Sequence, residues 1–278
     1  MIESYQSRIF SFFLIIIPVS IILGSSISLT NIICLGFLTF FFIFKKNYSQ
    51  IFYTLPIKLL FLIYLYLIFN TLISVDPLIT LSRNFGFIRF IFLFIFINYF
   101  FYNFKKFDIF KFWLIFLIVV LIDSYVEVIS GTNILGYGNL YGDRIVSFFK
   151  DEPVVAAFFN GFLLILIGYL ANNINGNNKK LILFFAITLS FLICIFLTGE
   201  RSNTIKILFA FIIFLSICNF ISFKKKILTF FIFLSLISVI FLNSNFLKYR
   251  FISLLKYDFL AIKEFIFSNK KEINVNKS

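Results

Sequence analysis

Apolar runs of helical length alternate along the chain with short polar turns, and this spacing predicts a series of membrane-crossing helices. A span needs roughly 17–25 mainly apolar residues. The first run, 9–44, is too long for one span. Gly24, Ser25, Ser26, Thr30 and Asn31 interrupt it, so it predicts two short helices joined by a tight turn. Further runs lie at 57–74, 85–101, 112–129, 153–171, 181–197, 204–221 and 227–242. The expected fold is therefore all-α, a polytopic transmembrane helical bundle of about nine spans over residues 1–245. An amphipathic tail follows at 246–278. The first run leads straight into a second, so no cleavable signal peptide is expected.

Basic residues in short loops mark the cytoplasmic side of a membrane protein. With a cytoplasmic N-terminus, that side holds Arg8, Lys45, Lys46, Lys58, Lys105, Lys106, Lys111, Lys179, Lys180, Lys224, Lys225 and Lys226. The opposite side holds only Arg83, Arg144, Lys150 and Arg201 before the tail. The tail is thus expected on the outer, periplasmic side. Lys248, Lys256 and Lys263 fall within about 80° of one another on a helix there, which fits an interfacial helix or the opening of an outer domain.

Composition narrows the function classes. Of 278 residues, 61% are hydrophobic and only 13% charged, with a mean hydropathy of +1.04. This excludes a soluble globular enzyme, a disordered chain and a disulfide-stapled module. The net charge of +13 is spread between apolar runs, which fits membrane topology and gives no reason to expect a nucleic-acid partner. With no histidine in the chain, imidazole acid–base catalysis, His–metal sites and Ser–His triads are excluded within it. Cys34, Cys194 and Cys218 each sit inside an apolar run without metal-ligand spacing, so neither a metal nor a cofactor is expected.

The candidate chemistry lies in the outer-side charges, because an ionised group in hydrocarbon costs roughly 2.5–3.5 kcal/mol and needs a partner or a wet cavity. Arg83 and Arg89 flank the outer end of the expected fourth span, with Arg89 about 9 Å further along it. Asp123 and Glu127, four apart, share one face of the fifth span. Paired carboxylates can carry protons, but the counter-ion reading for Arg83, Arg89 or Arg201 is favoured, since an isolated carboxylate near lipid needs a partner. Arg144 lies in the outer loop 130–152. Glu200 and Arg201 belong to the tight turn between the seventh and eighth spans, and Lys206 stands one turn further on. Guanidinium groups grip phosphate in a bidentate, charge-assisted way. The arginines with Lys206 could therefore hold a lipid-linked diphosphate, with Glu200, Asp123 and Glu127 as supporting carboxylates.

The segments ISVDPLITLSRNFGFIRF, DRIVSFFKDEPVVAAFF and LTGERSN, in this order on these spans, resemble the O-antigen ligase/polymerase superfamily of bacterial inner-membrane proteins. The resemblance covers roughly residues 55–255. It implies a metal-independent glycosyltransferase of the inner membrane that works at the periplasmic face, in surface polysaccharide (lipopolysaccharide O-antigen) biosynthesis. The donor would be an undecaprenyl-diphosphate-linked glycan and one acceptor the lipid A core. It further implies that Arg201, Arg144 and either Arg83 or Arg89 contact the diphosphate. The family continues into a large periplasmic loop bearing a histidine, whereas this chain has none and its catalytic residues are unknown. The expectation is that it corresponds to the N-terminal part, with the missing half supplied by a second polypeptide or absent. Two other readings stay open, a transporter or flippase of lipid or solute and a non-catalytic membrane scaffold.

Overall fold

The computed structural model describes residues 2–45, 54–103, 109–138, 144–150, 152–172, 174, 178–218, 221–254 and 256. Every regular element among them is helical. They are α1 (Ile2–Leu23), α2 (Ser25–Lys45), α3 (Leu55–Leu72), α4 (Pro77–Phe85), α5 (Ile88–Asn103) and α6 (Ile109–Ser130), then α7 (Val155–Asn172), α8 (Asn178–Leu197), α9 (Arg201–Ile217), α10 (Phe223–Asn243) and the short α11 (Asn245–Lys248). A π-helical turn, Tyr249–Ser253, continues α11. Among the described residues, six stretches are long and apolar enough to cross a membrane: Leu55–Leu72, Pro77–Phe101, Ile109–Ser130, Val155–Asn172, Asn178–Leu197 and Phe223–Asn243. They mark the chain as a multi-pass membrane protein. The other three expected spans fall on α1 and α2, whose apolar stretches are shorter (Arg8–Leu23 and Ser25–Thr39), and on the 17-residue α9.

The chain divides into two compact units, 1–116 and 117–278, with α6 beginning in the first and ending in the second. In the first unit, α1 and α2 form a hairpin that turns on the single residue Gly24, whose φ of +130° is costly for any side chain. Two interior polar side chains of the hairpin bond locally, although Asn31 Oδ1 is buried without a partner among the described residues. Asn31 Nδ2 donates to the Phe13 carbonyl at 3.3 Å, and Ser20 Oγ donates to the Ile17 carbonyl at 2.8 Å. Asn84 Nδ2 ties α4 to α3 through the Leu67 carbonyl (2.8 Å) and Thr71 Oγ1 (3.0 Å). Trp113 Nε1 donates to the Leu14 carbonyl at 2.9 Å. Edge-on packing of Phe10 against Phe96, with ring centroids 5.0 Å apart, joins α1 to α5.

The segment expected to lead into the fourth span as a loop is itself helical. Pro77 opens α4 at a position where its missing N–H is harmless, and the chain breaks at Gly86 before α5 begins. Arg83 and Arg89 thus stand on two helices, not along one.

In the second unit, α7, α8 and α9 pack together around Val155, Phe159, Leu163, Ile167, Phe191 and Ile195, all buried. Phe159 and Phe191 meet edge to face at 5.1 Å. Helix α10 packs on α8. Only 11% of its apolar stretch is buried inside the protein, against 44% for α7 and α8, so it turns most of that surface outward. Helix α7 starts at Val155, two residues after the expected Pro153. The tail expected at 246–278 enters the description only through its opening turns. Residues from 257 onward, including Lys263, lie outside the described residues, as does 139–143 of the outer loop.

Candidate functional site

The site is built on the last turns of α6. Their spacing puts Asp123 and Glu127 on one face, both buried, and the following loop folds back over them. Glu127 Oε1 accepts from Val146 N at 2.9 Å and Oε2 from Ser147 N at 2.6 Å. Asp123 Oδ1 accepts from Ile134 N at 2.9 Å and Oδ2 from the Ser147 hydroxyl at 2.6 Å. The favoured expectation, counter-ions for arginines, therefore gives way to another role. All four carboxylate oxygens accept hydrogen bonds from the loop and fix its path. Asn133 completes the clamp, its Nδ2 donating to the Ser147 carbonyl at 2.6 Å.

Ser147 is fully buried at φ +47°, a left-handed conformation costing of the order of 1–3 kcal/mol for a residue with a side chain. Its N–H, hydroxyl and carbonyl are all engaged by the clamp, and that density of bonds holds the strained turn. Gly138 is required for a different reason, because a Cβ there would fall 2.7 Å from the Gly131 carbonyl oxygen.

This loop carries Arg144. Its Nε is buried without a hydrogen-bond partner among the described residues, beside a cavity of about 340 Å³. Glu127, Arg144, Ile145, Asn245 and Phe246 are among the residues lining that cavity. A buried guanidinium N–H left unpaired is costly unless an acceptor arrives.

The Gly-Glu-Arg turn between α8 and α9 lies in the same unit. Gly199 has φ +69°, and a Cβ there would come within 2.9 Å of the Phe246 ring, so glycine is needed for both conformation and space. Glu200 bridges outward from the turn. Its Oε1 accepts from Ala156 N at the start of α7 (3.1 Å), where a carboxylate suits the positive helix end, and its Oε2 accepts from Asn203 Nδ2 (2.6 Å). The chain after α10 returns to this turn. Arg250 Nε donates to the Gly199 carbonyl at 3.3 Å, and Phe251 stacks on Phe196 at 5.1 Å.

Arg250 thereby joins Arg144 and Arg201. Burial, with those two guanidinium groups close by, pushes its own guanidinium below the ordinary range, against the opposing pull of Tyr249 and Glu200. Three guanidinium groups this close form a focus of positive potential suited to an anion of more than one charge.

Of the residues expected from sequence, the second unit brings together Arg144, Arg201, Glu200, Asp123 and Glu127. Lys206 is on the same unit but exposed. Arg83 is exposed in the last turn of α4, and Arg89 opens α5, both in the first unit. Sequence reasoning passed over Arg250, Ser147 and the structural need for Gly199. Arg250 gave little signal, being one more basic residue in an apolar–basic tail, 51 positions from the carbonyl it meets. Compared with models of known protein families, with curated proteins and with solved structures, the chain matches none.

Proposed function

We propose that this chain is an O-antigen ligase/polymerase-like protein of the bacterial inner membrane. It binds an undecaprenyl-diphosphate-linked glycan at the periplasmic face for glycosyl transfer into surface polysaccharide. The observation that carries the reading is the grouping of Arg250 with Arg144 and Arg201, together with a cavity lined by Arg144, whose buried Nε has no hydrogen-bond partner among the described residues. In this reading the chain crosses the membrane nine times with a cytoplasmic N-terminus, α1, α2 and α9 serving as short spans. The arginine group then lies on the outer side, level with lipid headgroups.

The chemistry follows from charge. When the sugar–phosphate bond breaks, its electron pair passes to the departing phosphate oxygen, and preorganised guanidinium donors stabilise the charge that develops there. Bidentate arginine contacts also fix the diphosphate in register, while the polyprenyl chain stays in the bilayer. The chain holds no imidazole to take the acceptor hydroxyl's proton, so the role assigned to it is donor capture and leaving-group stabilisation. The lipid A core is the proposed acceptor partner.

The test is binding of a synthetic undecaprenyl-diphosphate disaccharide to the purified protein in lipid nanodiscs. Wild type binds it, and Arg144→Gln and Arg201→Gln each weaken binding at least tenfold. Undecaprenyl monophosphate binds more weakly than the diphosphate. Equal binding by wild type and the double variant, or none by wild type, removes the proposal.

A further inference from the structure

The first unit contains a second cavity, also of about 340 Å³, between α2 and α5 and lined by Ile32, Ile33, Gly36, Phe37, Ile88, Arg89 and Phe92. Six of these seven residues are apolar or glycine, and Ile33 and Phe37 are exposed on its rim. Gly36 lies on the α2 wall, facing Phe92 of α5. A Cβ at that position would stand 3.4 Å from Phe92 Cβ, an ordinary contact. The one charged group is Arg89. Its guanidinium lies 5.0 Å from the centre of the Phe90 ring, and its Nε is buried with no hydrogen-bond partner among the described residues.

A guanidinium against an apolar wall calls for an anion that brings its own apolar body. The wall is too short of polar groups to hold a sugar or a free phosphate ion, and its open side is continuous with surface of the kind that faces lipid. One guanidinium also matches one negative charge, which is the charge of a phosphodiester. We infer that this groove is a binding site for an anionic phospholipid of the surrounding bilayer, one acyl chain lying along Ile33, Gly36 and Phe92 and the phosphate on Arg89. The site lies within the first unit and does not rest on the donor reading.

Native mass spectrometry of the full chain, released from nanodiscs of phosphatidylglycerol or of phosphatidylcholine, tests it. Wild type retains one phosphatidylglycerol that Arg89→Gln loses at least fivefold. Arg89→Lys keeps the charge and retains the lipid within about threefold, which separates charge from folding. Arg201→Gln retains it as wild type does, whatever becomes of diphosphate binding. The inference is overturned if Arg89→Gln retains the lipid, if both Arg89 variants lose it alike, if Arg201→Gln loses it, or if phosphatidylcholine is retained equally.

Discussion

The two cavities have the same volume, about 340 Å³, and each borders an arginine whose Nε has no partner among the described residues. They differ in what surrounds that arginine. Around Arg89 the walls are aliphatic and aromatic, with no polar side chain of the described residues lining the cavity beside it. Around Arg144 the loop is held by four carboxylate hydrogen bonds, passes through a strained serine, and neighbours a second polar turn. A site built for one defined anion needs this rigidity, because charge placed in advance requires little reorganisation when the ligand binds or reacts. A site for bulk lipid does without it.

If the Arg144 cavity is the preorganised one, the heaviest loss should come from its clamp. Glu127→Ala leaves Val146 N and Ser147 N buried without acceptors, and each orphaned group costs about 1–3 kcal/mol. The expected result is a destabilisation of about 3–5 kcal/mol in thermal unfolding in detergent, with fast hydrogen exchange over 144–150. A loss below about 1 kcal/mol would mean that the loop is held by something else.

Asp123→Asn keeps the shape but weakens two acceptors, so about 1–2 kcal/mol is expected. Gly199→Ala should cost a similar amount through its positive φ and its clash with Phe246. Unlike Asp123→Asn, it should also displace the Phe246–Arg250 return and weaken diphosphate-lipid binding about tenfold.

Arg250→Gln sharpens the contrast by its sign. The folded protein holds this guanidinium below its ordinary pKa, so it binds fewer protons there than the unfolded chain does. That contribution therefore improves stability as pH rises through the lowered pKa and opposes folding below it. Removing the charge should raise or preserve the melting temperature at neutral pH while lowering diphosphate affinity about tenfold. A fall in both would make Arg250 a structural tether only.

The smallest effect belongs to the Arg89 cavity. Gly36→Ala adds a methyl at ordinary contact distance on a helix where alanine is favoured by about 1 kcal/mol, so stability should change by less than that. A larger loss would show that this groove too is tightly built.

Much of the fold was legible because bilayer chemistry writes it locally. Runs of apolar residues, the break at Gly24 and the polar turns located α1–α3 and α5–α10 within a few residues, since hydropathy and helix length are properties of contiguous sequence. The helix α4 was missed because ISVDPLITLSRNF reads as polar and carries a proline. That proline in fact opens the helix.

The candidate arginines and carboxylates could likewise be named from sequence, because charge in so apolar a chain stands out. Their partners could not. Asp123 and Glu127 meet backbone N–H groups 11 to 20 residues away and a hydroxyl 24 away, and Arg250 meets Gly199 across 51. The sequence by itself determined a helical chain rich in membrane-length apolar segments and the few side chains able to act on an anion. Only the tertiary structure decided that the carboxylates brace a loop, that a tail arginine joins the Gly-Glu-Arg turn, and that two equal cavities differ in polarity. The reason is physical: burial and helix formation follow from local composition, whereas hydrogen-bond partners follow from how distant segments close on one another.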